Sequence, residues 1–474
     1  MNQDHCPGIE KWLLFDAVED DQHLEPEAGA VPRWVRGSYY VNGPARFMRG
    51  QFRYQHWLDG DGMVRAVHFN EGDIRFVSRF VRTRKLEAEE SAGRPVYRTF
   101  GTAFPGDRLR REVMLEPPVN VSVYTLGSRL LAFAEQSIPV ELHPVTLETG
   151  SEFDCGGKLN EVTPFSAHAK LDPRTGRLVN FGISFSASHP SLFLYEINPD
   201  GSLAGRRRFP VEAPHTNHDF TISEKHAAFF LSPLEMDFGR FWRDGVSVME
   251  ALQWRPKKGS YILVVPRPGC DGEAFTVRRE KGHCLHLVNS FEDGRTLTLD
   301  VVEFGRPIYP EYQPVPWFYQ TVDRGVPVRY RIDLEGRRLL DRVEMSYDHS
   351  PDFPSLDSRL IGREYDDFWM LGLSAAGKPG RKFFDELVHL RWSEGGAAGL
   401  YRAPAGRYFG GEPVFIPEPD GPGGMVMIQE FEVEADRVSF LLFDAYRVAA
   451  GPLARLPLRH KTHPGFHSSF TAAG

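Results

Sequence analysis

Residues 167–185 read AHAKLDPRTGRLVNFGISF, and their pattern decides the fold class. The turn signals Asp172, Pro173 and Gly176 are followed by Val179, Phe181, Ile183 and Phe185 at every second position, which is the signature of a β-hairpin. The same form recurs along the chain, in VSVYTLGSRLLAFAE (121–135), YEINPDGSLAGRRRF (195–209), LVNSFEDGRTLTLDVVEF (287–304) and RYRIDLEGRRLLDRVEM (329–345). Sustained 3.6-residue periodicity is scarce, and DFGRFWRDGVSVMEALQW (237–254) is a helix or loop excursion between strands. The 36 prolines and 45 glycines are spread through the sequence, as many tight turns between short strands require. No linker or charge block divides it, so residues 1–474 are expected to form one all-β domain. A β-propeller and a large barrel or sandwich both reach this size, and the propeller accounts better for regular hairpins because each blade is a four-stranded meander. Seven blades give about 68 residues each, which implies long loops on one face.

Composition narrows the function. With 56 Lys and Arg against 64 Asp and Glu, a net charge of −8 lacks the basic footprint that nucleic acid selects. Four cysteines without CxxC pairing suggest reduced thiols in a cytoplasmic protein. The first residues, MNQDHCPGIEKWLLFDAVED, have no basic leader with a long apolar run, and no window approaches a spanning helix. The expectation is a soluble protein that at most lies on a membrane surface. Thirty-five phenylalanines fit an aromatic core or an apolar substrate tunnel, and the core is the default.

Most of the 17 histidines have unremarkable surroundings, among them His5, His143 and His460. His168, His218, His286 and His467 differ because each lies in an apolar, strand-like run, where an unpaired imidazole is costly. Intervals of 50, 68 and 181 residues separate them, close to one, one and three blades, so innermost strands bring all four to a common axis. Four neutral imidazoles suit a divalent first-row metal, and residue type alone leaves iron, copper and zinc open. No phosphate loop or H-E-x-x-H helix competes for the chemistry.

These stretches also resemble a known family. GSYYVNGPARF (37–47), HWLDGDGMVRAVHF (56–69), AHAKLDPRTG (167–176), HDFTISE (218–224), HLVNSFED (286–293), GEPVFIP (411–417) and HPGFHSSF (463–470) stand in the order found in carotenoid cleavage oxygenases. The resemblance implies a seven-bladed propeller with a cap of helices and loops, and ferrous iron held on the axis by His168, His218, His286 and His467. It implies three carboxylates behind the histidines, namely Glu135, Glu412 and Asp352, the last in PDFPSLD (351–357) where the family usually has Glu. The implied reaction cleaves a double bond of an apolar polyene or a stilbene with dioxygen, giving two carbonyl products. Stilbene-cleaving members carry Lys immediately before the first acid, with a Tyr beside it. Here that residue is Ala134, and the nearby segment offers Tyr97, so an apocarotenoid or carotenoid is expected. Val41 stands where many members have Arg. His215 and His283, three residues before His218 and His286, are assigned structural or supporting roles. The tunnel mouth is expected to touch a membrane through the Phe238–Trp254 excursion or PVPWFYQ (314–320), and no obligate protein partner is implied. The alternatives are a stilbene-cleaving dioxygenase, an isomerase of the same family, and a non-enzymatic propeller serving as an interaction platform.

Overall fold

Every hairpin read from the sequence forms in the computed structural model, which describes residues 3–160, 165–184, 189–280, 282–350 and 352–473. In the first of them, Asp172 sets the turn: its carboxylate accepts from the Arg174 backbone N–H (3.0 Å) and its carbonyl from that of Gly176 (2.8 Å). Gly176 has φ +66°, which glycine adopts without steric cost. Lys170–Leu171 then pairs antiparallel with Leu178–Ser184. Phe185, at the end of that stretch, lies outside the described residues, as does Pro351.

Seven antiparallel sheets of four or five strands follow one another along the chain as the blades of a β-propeller. The first blade combines both ends of the sequence. Its strand Gly37–Ala45 pairs with Asp61–Asn70 on one side and with the last strand, Ser468–Ala472, on the other. A second exchange near the ends, Ala28–Gly29 against Ala454–Pro457, extends the seventh blade. The innermost strands of successive blades lie side by side around the axis, Thr221–Ile222 beside His283–Asp293, then Asp352–Ser355, Arg407–Pro417 and Ser468–Ala472.

The abundant phenylalanine belongs mainly to the packing between sheets. Phe353, Phe368, Phe383, Phe384, Phe409 and Phe440 are among those fully buried in the largest cluster, where edge-to-face and stacked rings fill the space between blades. Val41 is directly opposite Arg65 in the strand pair Gly37–Ala45 with Asp61–Asn70, so both side chains share a face. A buried guanidinium is therefore present across the ladder from the position where the resemblance leads one to expect it, and Arg65 donates to the Met63 carbonyl at 2.9 Å.

The 237–254 excursion is an insertion in the fourth blade. Asp237 caps the helix Phe238–Arg243 by accepting from the Arg240 N–H at 3.1 Å. Ser247 and Glu250 form a capping box on Val248–Ala251, and Leu252–Trp254 returns to pair with Leu234–Met236. Among the described residues, no helix is long and apolar enough to cross a membrane.

Candidate metal centre

Each of the four singled-out histidines sits at the entry to an innermost strand. His168 precedes Lys170–Leu171, His218 precedes Thr221–Ile222, His286 lies early in His283–Asp293, and His467 directly precedes Ser468–Ala472. These are the third, fourth, fifth and first blades, so the sequence intervals do count blades, the longest passing through the sixth and seventh. All four side chains are buried, and one ring nitrogen from each lies within 4.8 Å of the others. The ring centres of His168 are 4.4 Å from His218, 4.1 Å from His467 and 5.3 Å from His286.

Three strand irregularities aim the site. The ladder of His283–Asp293 with Thr296–Phe304 shifts register on either side of Leu287, beside His286. The pairing of Asp352–Ser355 shifts after Asp352, where Phe353 has φ +52°. That of Arg407–Pro417 shifts between Gly410 and Val414, around Glu412, with Gly411 at φ +75°. Such bulges turn a side chain away from the regular pleat.

The three expected carboxylates stand behind three of the imidazoles. His218 Nδ1 meets Glu135 Oε1, and His286 Nδ1 meets Asp352 Oδ1. Tyr312 donates to the other Asp352 oxygen at 3.2 Å, and the Phe353 N–H to the first at 2.9 Å. His467 Nδ1 is 3.5 Å from Glu412 Oε2, which also accepts from the Ser468 N–H at 3.1 Å. The fourth imidazole also faces an acid, which the sequence reading did not single out: Asp219 Oδ1 lies 3.5 Å from His168 Nδ1. The one signal was its place directly after His218, ahead of the apolar strand.

Electrostatics follow from burial. Burial, reinforced by the neighbouring imidazoles, holds His168 well below the ordinary histidine range and His467 down to about 3. His286 is lowered by burial against the pull of Asp352. For His218 burial acts downward too, but the Glu135 carboxylate outweighs it and leaves the group raised. Burial pushes Glu412 up to about 7, opposed by the Ser468 N–H.

The donor set fits a divalent metal. His168 Nε2 and His218 Nε2 approach to 2.9 Å, and His286 Nε2 is buried without a hydrogen-bond partner. With carboxylates fixing Nδ1–H tautomers, these Nε2 atoms are lone pairs converging on one point, and a cation there satisfies them together. The cluster includes no thiolate; Cys284 Sγ instead donates to the His286 carbonyl at 3.1 Å. His215 and His283 stay outside it. His215 Nδ1–H donates to the Ser232 carbonyl at 3.0 Å, and His283 is packed edge-on to Trp254 and Tyr309.

An apolar cavity of about 460 Å³ lies beside this cluster, with none of the four imidazoles on its wall. Glu135 lines it, as does Tyr309, whose ring centre is 6.3 Å from that of His218. Ala134 and Val121 are on the wall, and Trp242 and Val113 are at the outer end, where they are 49% and 48% exposed. Among the described residues, the phenylalanines that line it are Phe100, Phe238 and Phe241. Tyr97 is not on its wall; the tyrosine there is Tyr309.

The family described as RPE65, retinal pigment epithelial membrane protein, matches residues 15–472. The apocarotenoid-15,15'-oxygenase of Synechocystis sp. is 29% identical over 95% of this chain and 94% of its own length. An isoeugenol monooxygenase of Pseudomonas putida is 27% identical over 93% and 92%, and lignostilbene-alpha,beta-dioxygenase isozyme III of Sphingomonas paucimobilis is 26% identical over 95% and 94%. A solved structure of the cobalt-substituted Synechocystis apocarotenoid oxygenase superposes with a TM-score of 0.89 at 26% identity, covering 99% of this chain and all of that one.

Proposed function

The chain belongs to the RPE65 family, that of the carotenoid cleavage oxygenases, and on that premise we propose that it is a non-haem iron(II) dioxygenase. It cleaves one C=C bond of an apocarotenoid or carotenoid with dioxygen and yields two carbonyl products. The observation that carries this reading is the convergence of four buried imidazoles, one nitrogen of each within 4.8 Å of the others, beside an apolar cavity. We read residues 1–474 as one such domain, cytoplasmic, with His168, His218, His286 and His467 as the ligands and Glu135, Asp352 and Glu412 behind three of them.

Iron(II), when bound, supplies the activation of dioxygen, and four neutral ligands leave its positive charge undiminished. The chain supplies position and dryness. Glu135, Asp352 and Glu412 keep their imidazoles in the Nδ1–H tautomer, so that Nε2 faces inward. The apolar wall aligns a long polyene with its scissile bond at the imidazole end and excludes water. No side chain is required as general acid or base.

A polyene is favoured over a hydroxystilbene by Ala134. It lines the cavity immediately before Glu135 and offers neither charge nor donor to a phenol oxygen. Losing a charge-assisted hydrogen bond of about 1.5–3 kcal/mol weakens binding by roughly ten- to a hundredfold. The reading of a membrane-facing mouth is supported by the exposed pair Trp242 and Val113 at the outer end, joined by the Trp242 Nε1–H donating to the Val113 carbonyl at 2.8 Å. In PVPWFYQ, Phe318 and Tyr319 are buried and Trp317, the exposed aromatic residue, is stacked on Arg381, so that segment serves packing.

The test is aerobic incubation of iron-loaded protein with apocarotenals, carotenoids and 4-hydroxystilbenes, with products identified by mass. Two carbonyl fragments from a polyene are expected. Turnover of hydroxystilbenes with no polyene cleaved overturns the substrate, recovery of a rearranged polyene points to an isomerase, and a chain that retains no metal points to an interaction platform.

A further inference from the structure

Asp219 stands to His168 as Glu412 stands to His467, a carboxylate oxygen 3.5 Å from Nδ1 in both cases. Its company is different. The oxygen that faces His168 also takes Lys170 Nζ at 2.8 Å and the Phe220 N–H at 2.8 Å, and the second oxygen takes the Leu287 N–H at 2.8 Å. One buried side chain thus holds the segment bearing His168 through His168 and Lys170, the segment bearing His218 by covalent adjacency, and the segment bearing His286 through Leu287. Among the described residues, neither Glu135 nor Glu412 pairs with a cation other than its imidazole.

Two consequences follow from charge. A carboxylate behind an imidazole raises the donor strength of the opposite nitrogen and fixes its direction. An ammonium and two N–H groups on the same carboxylate stabilise its negative charge and weaken its hold on the imidazole proton. We propose that Asp219 is the outer carboxylate of His168 and sets three of the four ligand-bearing segments relative to one another, while Lys170, by drawing on its charge, makes His168 the weakest of the four donors. The proposal rests on the metal-site reading above, and it makes Asp219 and Lys170 positioning residues with opposite effects on one ligand.

Cobalt(II) provides the probe, through affinity measured by chelator competition and the visible absorption of the bound ion. Asp219→Asn is expected to lower affinity about 10–100-fold and to change the absorption band, as losing a carboxylate behind a ligating histidine does. Lys170→Met is expected to bind cobalt at least as tightly as the parent, with the band displaced in the opposite direction. A structural ion pair predicts otherwise, since removing either partner then loosens the site. If Lys170→Met loses affinity alongside Asp219→Asn, or if folded Asp219→Asn keeps the parent's affinity and band, the proposal is wrong. Should Asp219→Asn fail to fold, Lys170→Met decides alone: tighter or equal binding with a shifted band supports it, and weaker binding or an unmoved band overturns it. A parent chain that takes up no cobalt overturns the metal-site reading itself, an outcome distinct from the others.

Discussion

Asp352 is one methylene shorter than the glutamate its relatives place there, yet it reaches His286 directly. At this point the strand is irregular, with a register shift after Asp352 and a positive φ at Phe353. The sequence left two options, a closer strand or a bridging water, and the direct contact leaves no place for a water between the two groups. The histidines were legible because an imidazole in an apolar run is anomalous; Asp219 was not, because an acid after a histidine looks like any strand-edge carboxylate. Replacing His218 or His286 with Ala is expected to abolish both iron retention and activity, since three remaining ligands leave the site open; stoichiometric iron in either variant, measured by atomic absorption, removes that residue from the ligand set. For Glu412→Gln the expected result is iron that is partly retained, with affinity or activity down about 10–100-fold. An unaffected variant would return Glu412 to packing alone.

At the scale of elements, the hairpins were readable from turn chemistry and period-two alternation, both local properties. The bulges at His286, Asp352 and Glu412 were not, because a bulge depends on what the partner strand places opposite, and that is set by tertiary pairing. The turn at Asp172 carries a measurable load. Its carboxylate is buried, which acts to raise its pKa, but Arg174 and Arg267 hold it down to about 2 from 3.8; Glu292, gripped by His226, Ser223 and Lys225, is likewise held to about 2 from 4.5. A depressed carboxylate contributes stability above its unfolded value and loses it as pH falls through the folded one. Asp172→Asn should therefore cost about 1–3 kcal/mol at pH 7, with a urea midpoint below the parent's. That gap should close between roughly pH 4 and pH 2, where the parent's carboxylate becomes protonated. A gap independent of pH would mean that turn geometry, not charge, is the contribution.

The whole molecule is a ring; the recurring hairpins favoured a propeller and the histidine intervals matched one, one and three blades, while the count of seven came with the family resemblance. How the ring closes was not legible, because no local pattern says that the last strand adds to the first blade. Truncation after Gly465 removes both His467 and the strand Ser468–Ala472, leaving Gly37–Ala45 without its inner neighbour. The expected product is a chain that binds no iron and unfolds over a broad, non-cooperative range, followed by circular dichroism and metal analysis. A sharp transition at the parent's temperature would show that closure contributes little.

Closure by the final strand has a consequence for the order of events in a cell. As the ribosome delivers the chain, the strand Gly37–Ala45 appears early and waits for its inner partner while the other six blades are made. His168, His218 and His286 have all emerged by then, but the fourth imidazole belongs to the residue just before the closing strand. A nascent chain therefore exposes an incomplete set of donors, and the same last step that seals the ring completes the set. Metal capture therefore waits on closure of the ring, and a chain cut before His467 lacks both the closing strand and the fourth imidazole.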